Sequence, residues 1–332
     1  MKTTERRMEL DLAVAAVRAA ARATRAVQAS LDAAGTLHKG DKSPVTVADF
    51  AAQAVVARTL MQALPGDAIV GEEDAAALRE GAAAPLCARV VEAVSRALGE
   101  PASREAVLQW VDRGGAAGDT ARYWTLDPID GTKGFLRGGQ YAIALALIEH
   151  GEVQVAALGC PSYAGAEGAA PGLVLFATRD GGAYELPLDG SADAEPRRLR
   201  VADTAAWGHA RFCESVESGH SDQGHSAAVA TALGITREPL RMDSQAKYAA
   251  VARGDADVYM RLPTRADYRE KIWDHAAGLL VLQEAGGTVT DVDGRPLDFG
   301  HGRTLQQNQG VLASSGRGHE QLVAAVRAVL GR

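Results

Sequence analysis

The order of helix and strand patterns along the chain constrains its fold more than any other feature of the sequence. Apolar residues recur at three- and four-residue steps over 10–31, and a second helical pattern begins after Pro44 and runs to Leu64. Both patterns predict helices with a buried face. Strand patterns dominate 122–186, whereas short strands and helices alternate beyond about residue 205. This order predicts an α+β part followed by an α/β part.

The boundaries of the individual elements follow from hydrophobic alternation and from Gly and Pro positions. Strands are predicted at 68–70, 123–126, 141–148, 153–158, 173–178, 183–186, 211–213, 240–242, 258–262, 288–290 and 311–313. Further helices are predicted at 226–233, 244–253, 273–284 and 320–330. Residues 75–110 are expected to form a helix-rich connection, and the Gly- and Ala-rich segment 164–172 a loop.

The composition is that of a globular chain. Its 332 residues are 47% hydrophobic and 23% charged, which argues against disorder, collagen and coiled coil. No apolar run approaches the ~20 residues of a membrane span, and the N-terminus MKTTERRMEL lacks the apolar core of a signal peptide. The scattered Cys87, Cys160 and Cys213 favour buried thiols in a reducing compartment over a disulfide framework. We therefore expect a cytoplasmic protein.

The net charge narrows the range of partners. The chain has 35 Lys and Arg against 42 Asp and Glu, so its formal net charge is −7. Nucleic acids and anionic membranes reward basic surfaces, so neither is expected as a partner. A small anionic ligand stays open, because a metal site can reverse the local sign of the charge. Nothing in the sequence indicates the oligomeric state.

The strongest chemical signal is the segment D-P-I-D-G-T at 127–132, which follows a predicted strand. Its two carboxylates lie three residues apart in a turn that Pro and Gly favour, so they can converge on one point. Carboxylates that close repel one another unless a cation or a shared proton compensates. Hard oxygen ligands of this kind suit Mg²⁺. Taken alone, this motif could equally be a solvent-exposed, Asp-rich turn that binds no metal.

Three weaker signals carry further acids. Glu72 and Glu73 follow a predicted strand, and Asp274 opens a predicted helix beside His275. Asp49 lies in the first turn of the second helix. Taken singly, Glu pairs are common on surfaces, and acids near helix N-termini are most often caps or dipole-satisfying residues. A metal-ligand role for His275 is disfavoured, since the other candidate ligands are carboxylates and no second His lies at ligand spacing.

The order of these motifs resembles the inositol monophosphatase superfamily of Mg²⁺-dependent, lithium-sensitive phosphatases. Within it the chain is most similar to the 3′(2′),5′-bisphosphate nucleotidases, from about residue 40 almost to the C-terminus. D-P-I-D-G-T specifies only the superfamily, whereas G-F-L-R-G, D-S-Q-A-K-Y and E-K-I-W-D-H-A-A-G are more specific to the nucleotidase branch. The supporting segments are S-P-V-T-V-A-D-F-A-A-Q-A at 43–54, C-E-S-V-E-S-G-H-S at 213–221, M-D-S-Q-A-K-Y at 242–248, D-V-Y-M-R-L-P at 257–263 and E-K-I-W-D-H-A-A-G at 270–278.

The resemblance implies a layered α-β-α-β-α sandwich with one site between two parts. Residues 1–204 would form an α+β metal-binding part, and 205–332 an α/β part with the nucleotide contacts. The site would hold two or three Mg²⁺ ions, with Li⁺ inhibiting by displacing one of them. The implied metal ligands are the carboxylates of Glu72, Asp127, Asp130 and Asp274 and the main-chain oxygen of Ile129.

The resemblance also implies how water would be activated. The pair that positions and activates the attacking water falls on Asp49 and Thr132, and Glu73 would support the ligands without contacting the metal. Mg²⁺ neutralises the oxygens of a phosphomonoester and lowers the pKa of a bound water. In-line attack then needs mainly positioning and charge from the protein.

The implied substrate is 3′-phosphoadenosine 5′-phosphate (PAP), with its sulfated relative PAPS as a second expected substrate and AMP or APS as the product. Lys247 and Arg261 are expected to hold the 5′-phosphate. His220 and Ser244 are expected to line the adenosine side, and Thr132 to contact the substrate.

Two alternatives stay open on the sequence. An inositol polyphosphate 1-phosphatase or inositol monophosphatase would use the same metals with a different pocket. The Lys247 and Arg261 pair argues against a monophosphatase, which has no second phosphate to hold. A non-catalytic nucleotide sensor would need a lost metal ligand or a lost Asp and Thr pair, and neither is missing.

Overall fold

The computed structural model describes residues 6–29, 36–38, 44–163, 171–190, 194–204, 206–216, 223–263, 265 and 267–332. Among these residues, none of the helices combines the length and apolar character needed to pass through a lipid bilayer. His220 and most of the predicted loop at 164–172 lie outside the described residues.

Strands and helices alternate along most of the described chain. The strands are β1 (Thr36–His38), β2 (Pro44–Thr46), β3 (Ala68–Gly71), β4 (Arg122–Asp130), β5 (Ala142–Glu149), β6 (Glu152–Cys160), β7 (Leu173–Thr178), β8 (Gly182–Pro187), β9 (Arg197–Arg198), β10 (Phe212–Glu214), β11 (Leu240–Arg241), β12 (Val258–Arg261), β13 (Thr288–Thr290) and β14 (Val311–Ser314). The α-helices are α1 (Arg7–Gln28), α2 (Val47–Ala63), α3 (Ala76–Arg79), α4 (Ala84–Leu98), α5 (Arg104–Asp112), α6 (Thr132–Leu136), α7 (Gln223–Leu233), α8 (Ala246–Arg253), α9 (Ala276–Glu284) and α10 (His319–Val329). One-turn 3-10 helices cover Gly81–Ala83, Trp207–His209 and Ile272–Asp274.

The larger sheet has the strand order β3-β4-β5-β6-β7-β8-β9. β3 pairs with β4 in parallel, and the other neighbours are antiparallel. β5 is buried on both faces because apolar residues occupy every position of 142–148. Ala144 and Ile148 pack into one hydrophobic cluster, and Leu145 and Leu147 into another. The two-residue period of a strand thus gives the sheet two covered faces.

The smaller sheet has the strand order β11-β10-β12-β14-β13. β10 pairs in parallel with β11 and β12, whereas β14 is antiparallel to β12 and β13. Its residues also alternate between two hydrophobic clusters. Tyr259 and Ala313 pack on one face, and Val258 and Leu312 on the other.

Helices cover both sheets in three layers. α1 and α2 pack on the outer face of the larger sheet, and α8 and α9 lie between the two sheets. α7 and α10 cover the outer face of the smaller sheet. The architecture is therefore the α-β-α-β-α sandwich that the sequence analysis expects. Each fully buried Leu or Val of these clusters contributes about 1.5–3 kcal/mol of hydrophobic stabilisation.

The structure corrects two predicted helix boundaries. Residues 44–46 form β2, which pairs with β1, and α2 begins only at Val47. The β-branched Val45 and Thr46 favour the extended conformation. The helix predicted over 273–284 is divided, because a 3-10 turn ends at Asp274 and α9 begins at Ala276. The 75–110 connection is helix-rich, as predicted.

His319, the first residue of α10, is buried and makes hydrogen bonds with two hydroxyls. Its Nε2 lies 2.8 Å from Thr290 Oγ1 and its Nδ1 2.8 Å from Ser314 Oγ. Burial lowers the pKa of His319 from 6.5 to about 4. The folded state therefore holds a neutral ring over a pH range in which the unfolded chain binds a proton.

We expect this histidine to make the fold sensitive to acid. The unfolded state gains protonation free energy as the pH falls from 6.5 towards 4, so the free energy of unfolding falls over the same range, by about 2 kcal/mol at pH 5. Urea unfolding at pH 7.5 and pH 5 measures this fall. His319→Gln keeps a polar side chain that does not titrate, so the variant should lose correspondingly less stability between the two pH values. An equal loss in parent and variant would contradict the role of His319.

Candidate functional site

The two acids of D-P-I-D lie on the last stretch of β4. The sequence pattern predicts a strand that ends before Asp127. In the structure the strand continues to Asp130 with a register shift, so that Asp127 pairs with Ala144 and Asp130 with Ala142. Residues three apart point to opposite faces of a regular strand, and the extra residue of a β-bulge allows both carboxylates to face one side. The N–H of Ile129 donates to Asp127 Oδ1 at 3.1 Å and fixes that carboxylate.

Asp127 lies where the separately predicted acids converge. Its side chain is buried, and burial is the largest cause that raises its pKa well above the usual range of an Asp. The carboxylates of Glu72, Asp130, Asp274 and Asp49, in that order, raise this pKa further. Acids from three other motifs, together with Asp130 of its own motif, therefore act on this carboxyl group.

Asp274 lies in the 3-10 turn before α9, and burial likewise raises its pKa well above the usual range. The guanidinium of Arg261 opposes that shift, with Nη2 at 3.5 Å from Asp274 Oδ2. Asp130, Glu270 and Glu72 add to the increase. This guanidinium therefore does not offset the combined effect of burial and the neighbouring carboxylates on Asp274.

This donor set fits a hard divalent cation. Its members are carboxylate oxygens, which Mg²⁺ prefers, and the neighbouring carboxylates raise the pKa values of Asp127 and Asp274. The carbonyl oxygen of Ile129 accepts one hydrogen bond, from Thr132 Oγ1 at 3.2 Å, and a carbonyl oxygen has a second lone pair. The residues expected to bind metal are therefore suited to Mg²⁺ in type and in charge.

The segment that carries Glu72 is fixed by a buried glutamine of α2. Gln53 Nε2 donates to the carbonyl oxygens of Glu73 at 2.6 Å and Val111 at 2.7 Å, and its Oε1 accepts from the N–H of Glu73 at 3.0 Å. Gln53 lies four residues after Asp49, so the two share one face of the helix. It ties the acidic segment to the helix that presents Asp49.

A second cluster of polar side chains includes Asp274. Glu270, Asp274 and His275 each place one ligand atom within 4.8 Å of the others. Arg261 Nε lies 2.8 Å from Glu270 Oε2 and supplies a positive charge. His275 is fully buried, with Nδ1 at 2.9 Å from Tyr248 Oη and Nε2 at 3.3 Å from Glu270 Oε2. Both ring nitrogens thus have side-chain partners, and burial lowers the pKa of His275.

Ser244, two residues before α8, has a left-handed backbone, φ +70°, which is unusual for a residue other than Gly. Its Oγ accepts from the N–H of Ala246 at 3.1 Å. The following N–H, that of Gln245, donates to Asp130 Oδ2 at 2.7 Å. Gly131 faces this turn, since a Cβ on Gly131 would lie 3.0 Å from Ser244 Cβ. The segment assigned to the nucleotide therefore contacts a proposed metal ligand directly.

Lys247 is buried beside the acids. Its Nζ lies 3.5 Å from the carbonyl oxygen of Met242 and 5.1 Å from the ring centroid of Tyr259. Burial lowers the pKa of Lys247, and Asp130 is the largest influence in the opposite direction. A desolvated ammonium with a weak carbonyl contact is suited to an anionic partner.

Two segments specific to the nucleotidase resemblance contact each other. Arg137 of G-F-L-R-G has its Nη2 2.6 Å from Oδ2 of Asp243 in M-D-S-Q. This ion pair fixes the end of α6 next to the turn at Ser244. Both motifs are visible in the sequence, but a spacing of more than 100 residues gives no sign that they meet.

The structure brings most of the predicted site residues into one region. Those whose charges or hydrogen bonds link them there are Asp49, Glu72, Asp127, Ile129, Asp130, Thr132, Ser244, Lys247, Arg261 and Asp274. The main chain of Glu73, the residue after Glu72, is fixed by two hydrogen bonds with the side chain of Gln53. Three further residues of the site, Gln53, Gln245 and Glu270, lie inside the motifs, but no sequence pattern predicts a role for them.

Comparison with known proteins gives relatives along nearly the whole chain. The sequence matches the inositol monophosphatase family over residues 5–330. It is 47% identical to the 3′(2′),5′-bisphosphate nucleotidase of Schizosaccharomyces pombe, covering 98% of this chain and 96% of that protein. It is 46% identical to the 3′(2′),5′-bisphosphate nucleotidase of Emericella nidulans, covering 90% and 92%. The resemblance to the nucleotidases is thereby confirmed.

Solved structures share the fold at low identity. The Thermotoga maritima IMPase has a TM-score of 0.66 at 22% identity, covering 97% of this chain and 98% of that one. CysQ from Bacteroides thetaiotaomicron has a TM-score of 0.61 at 20% identity, covering 93% and 97%. The layered sandwich, the converging acids and the sequence match lead to one conclusion. The chain belongs to the inositol monophosphatase family.

Proposed function

We propose that this chain is a Mg²⁺-dependent phosphatase that removes the 3′ (or 2′) phosphate of PAP to give AMP and inorganic phosphate, with PAPS as a second substrate. The observation that carries the proposal is the position of two cations at the edge of the acid cluster. Arg261 Nη2 lies 3.5 Å from Asp274 Oδ2, and the charge of Asp130 favours the protonated form of Lys247. A substrate with one phosphate for the metals and another for these cations fits that arrangement. The nucleotidases of S. pombe and E. nidulans carry the same activity in their names.

The proposed metal ligands are Glu72, Asp127, Asp130, Asp274 and the carbonyl oxygen of Ile129. When bound there, two or three Mg²⁺ ions would neutralise phosphate oxygens and lower the pKa of water. Li⁺ is proposed to inhibit by replacing one of these ions. The chain's own part would be to bring these oxygen donors together around the metal, with Asp127 buried among them.

Asp49 and Thr132 are proposed to prepare the attacking water. Asp49 is buried in the first turn of α2, and it is one of the acids that act on Asp127. Thr132 opens α6 and donates its hydroxyl hydrogen to Ile129 O at 3.2 Å, which leaves the Oγ1 lone pairs to accept from water. Asp49 would then accept the proton that the water loses.

On the substrate side, Lys247 and Arg261 are proposed to hold the 5′-phosphate, with Ser244 beside the adenosine. His220, proposed for the same pocket, lies outside the described residues. We also propose that the site lies between the parts 1–204 and 205–332. A cytoplasmic location is proposed as well, in keeping with the free, buried thiols of the chain's cysteines.

A substrate panel tests the function. Phosphate release with Mg²⁺ is compared among PAP, PAPS, inositol 1-phosphate, inositol 1,4-bisphosphate and fructose 1,6-bisphosphate. We expect PAP or PAPS to give the highest kcat/KM. A clear preference for an inositol or fructose ester would overturn the proposal, and PAP binding without turnover in saturating Mg²⁺ would indicate a sensor.

Lys247→Met tests how the second phosphate is held. Methionine fills the buried space without the charge, so the loss of a charge-assisted hydrogen bond should raise KM for PAP by about 10-fold or more. The KM for adenosine 3′-phosphate, which lacks the 5′-phosphate, should change much less. Arg241→Met removes an exposed positive charge from the nearby β11 and should leave both KM values little changed. Equal effects of Lys247→Met on both substrates would show that Lys247 does not contact the second phosphate.

A further inference from the structure

Gln245 makes hydrogen bonds to three separate segments of the candidate site. Its main-chain N–H donates to Asp130 Oδ2 at 2.7 Å. Its side-chain Nε2 donates to the carbonyl oxygen of Trp273 at 2.8 Å, and its Oε1 accepts from the N–H of Gly278 at 3.1 Å. The residue is 2% exposed, so these bonds form away from solvent, where an unmet polar group is costly.

The two side-chain bonds lie on either side of Asp274. Trp273 is the residue before it, in the 3-10 turn, and Gly278 lies in the first turn of α9. The helical backbone is interrupted between them at His275, whose φ is −136°. A single amide therefore bridges the interruption and fixes the position of the segment that presents Asp274.

The main-chain bond joins this bridge to the larger sheet. Asp130 ends β4, whereas Gln245 and Asp274 belong to the second part of the chain. The left-handed backbone of Ser244 turns the N–H of Gln245 towards Asp130. Non-glycine residues adopt this conformation only where the surroundings compensate its cost, and such positions cluster at functional sites.

We propose that Gln245 is a positioning residue that sets the separation of Asp130 and Asp274, and through it the affinity of the site for divalent cations. Partners that orient metal ligands typically change metal affinity or activity by 10–100-fold when they are replaced. A buried amide with only a structural role would also need hydrogen-bond partners. The partners of Gln245, however, are Asp130 itself and the two residues Trp273 and Gly278 on either side of Asp274. The proposal rests on the proposed metal ligands and not on the identity of the substrate.

Gln245→Met tests the side-chain half of this arrangement. Methionine has a similar length and no amide, while the main-chain N–H to Asp130 is retained. Isothermal titration of the full chain with Mg²⁺ alone, and with Mn²⁺ alone, should give a dissociation constant at least about 10-fold higher than that of the parent. The increase in Tm that Mg²⁺ produces in the parent should shrink in the variant at the same metal concentration.

Gln283→Met is the matched control. Gln283 lies on α9, the helix that Gln245 contacts through Gly278, and its Oε1 accepts from Arg179 Nη1 at 3.1 Å rather than from a segment that carries a proposed metal ligand. The control should bind both metals as the parent does, even if its Tm without metal falls. If Gln245→Met lowers the metal-free Tm but binds Mg²⁺ with parental affinity, the amide is structural only and the proposal is wrong. Should Gln245→Met not fold, Gln245→Asn, which is one methylene too short to reach both partners, is measured with the same expectations.

These measurements contain no substrate, so they separate this proposal from the proposed function. A weakened metal site together with a preference for inositol phosphates would support the role of Gln245 and overturn the nucleotidase activity. A preference for PAP together with unchanged metal affinity in Gln245→Met would support the nucleotidase activity and overturn the role of Gln245.

Discussion

Replacing Asp49 with Asn is expected to lower kcat for PAP by about 10²–10⁴, the usual contribution of a positioned general base. The amide keeps the size of the side chain but cannot accept the proton of the attacking water. Asp49 is not among the proposed metal ligands, so Mg²⁺ affinity and KM should stay within a few-fold of the parent values. Steady-state kinetics and Mg²⁺ titration measure the two effects separately. Unchanged kcat would remove the proposed role of Asp49.

The same substitution has a second expected effect that no merely structural role predicts. The Asp49 carboxylate is one of those that raise the pKa of Asp127, so removing its charge relieves repulsion in the metal-free protein. The metal-free variant should therefore melt no lower than the parent. Asp74→Asn is the matched control, because it removes an exposed negative charge two residues after Glu72. That variant should retain nearly full kcat.

Gly131→Ala is expected to disrupt the site through the backbone. Gly131 has φ +85°, and an added Cβ would lie 3.0 Å from Ser244 Cβ and 3.3 Å from Ser244 N. Ser244 is itself in a left-handed conformation and hydrogen-bonded to Ala246, so it has little freedom to move. We expect the free energy of unfolding to fall by about 2–3 kcal/mol from these combined costs. Mg²⁺ affinity should fall as well, because the N–H of Gln245 would leave Asp130.

Gly99→Ala is the control that separates the steric clash with Ser244 from the cost of placing alanine at a positive φ. Gly99 ends α4 with φ +72°, and nothing lies within 4 Å of the Cβ that alanine would add. Urea unfolding should therefore show a loss of about 1 kcal/mol, with unaltered Mg²⁺ affinity and kcat. If Gly131→Ala behaves like Gly99→Ala in all three measurements, the contact between Gly131 and Ser244 does not hold the site together.

The chemistry-bearing acids were predictable because each stands beside a local signal. Asp127 and Asp130 lie in one short motif, and Glu72 follows a strand pattern. The path of the chain through that motif was not predictable. Pro128 lacks an N–H and normally argues against a continuing strand, yet β4 passes through it as a bulge paired with β5. Pairing with a neighbouring strand overrides the local preference at this point.

The supporting contacts were hidden for a different reason. Gln53 and Gln245 are uncharged, and the main-chain groups that their side chains contact lie 20 to 58 residues away in sequence. Such bonds leave no periodic pattern, so only the folded arrangement reveals them. The ion pair between Arg137 and Asp243, 106 residues apart, is a similar case. His220 remains a prediction, because it lies outside the described residues.

The helix layer between the two sheets has a consequence for how the protein can be divided. One hydrophobic cluster contains Leu158 of β6, Leu280 of α9 and Ala313 of β14, so the same helices complete the interior of both sheets. A fragment ending near residue 204 would expose the inner face of the larger sheet, and the remaining fragment would expose α8 and α9. Neither piece has a closed interior of its own, which is what an autonomous folding unit requires. Gene truncation at that boundary therefore cannot yield two independent modules, and the chain should unfold as one cooperative unit.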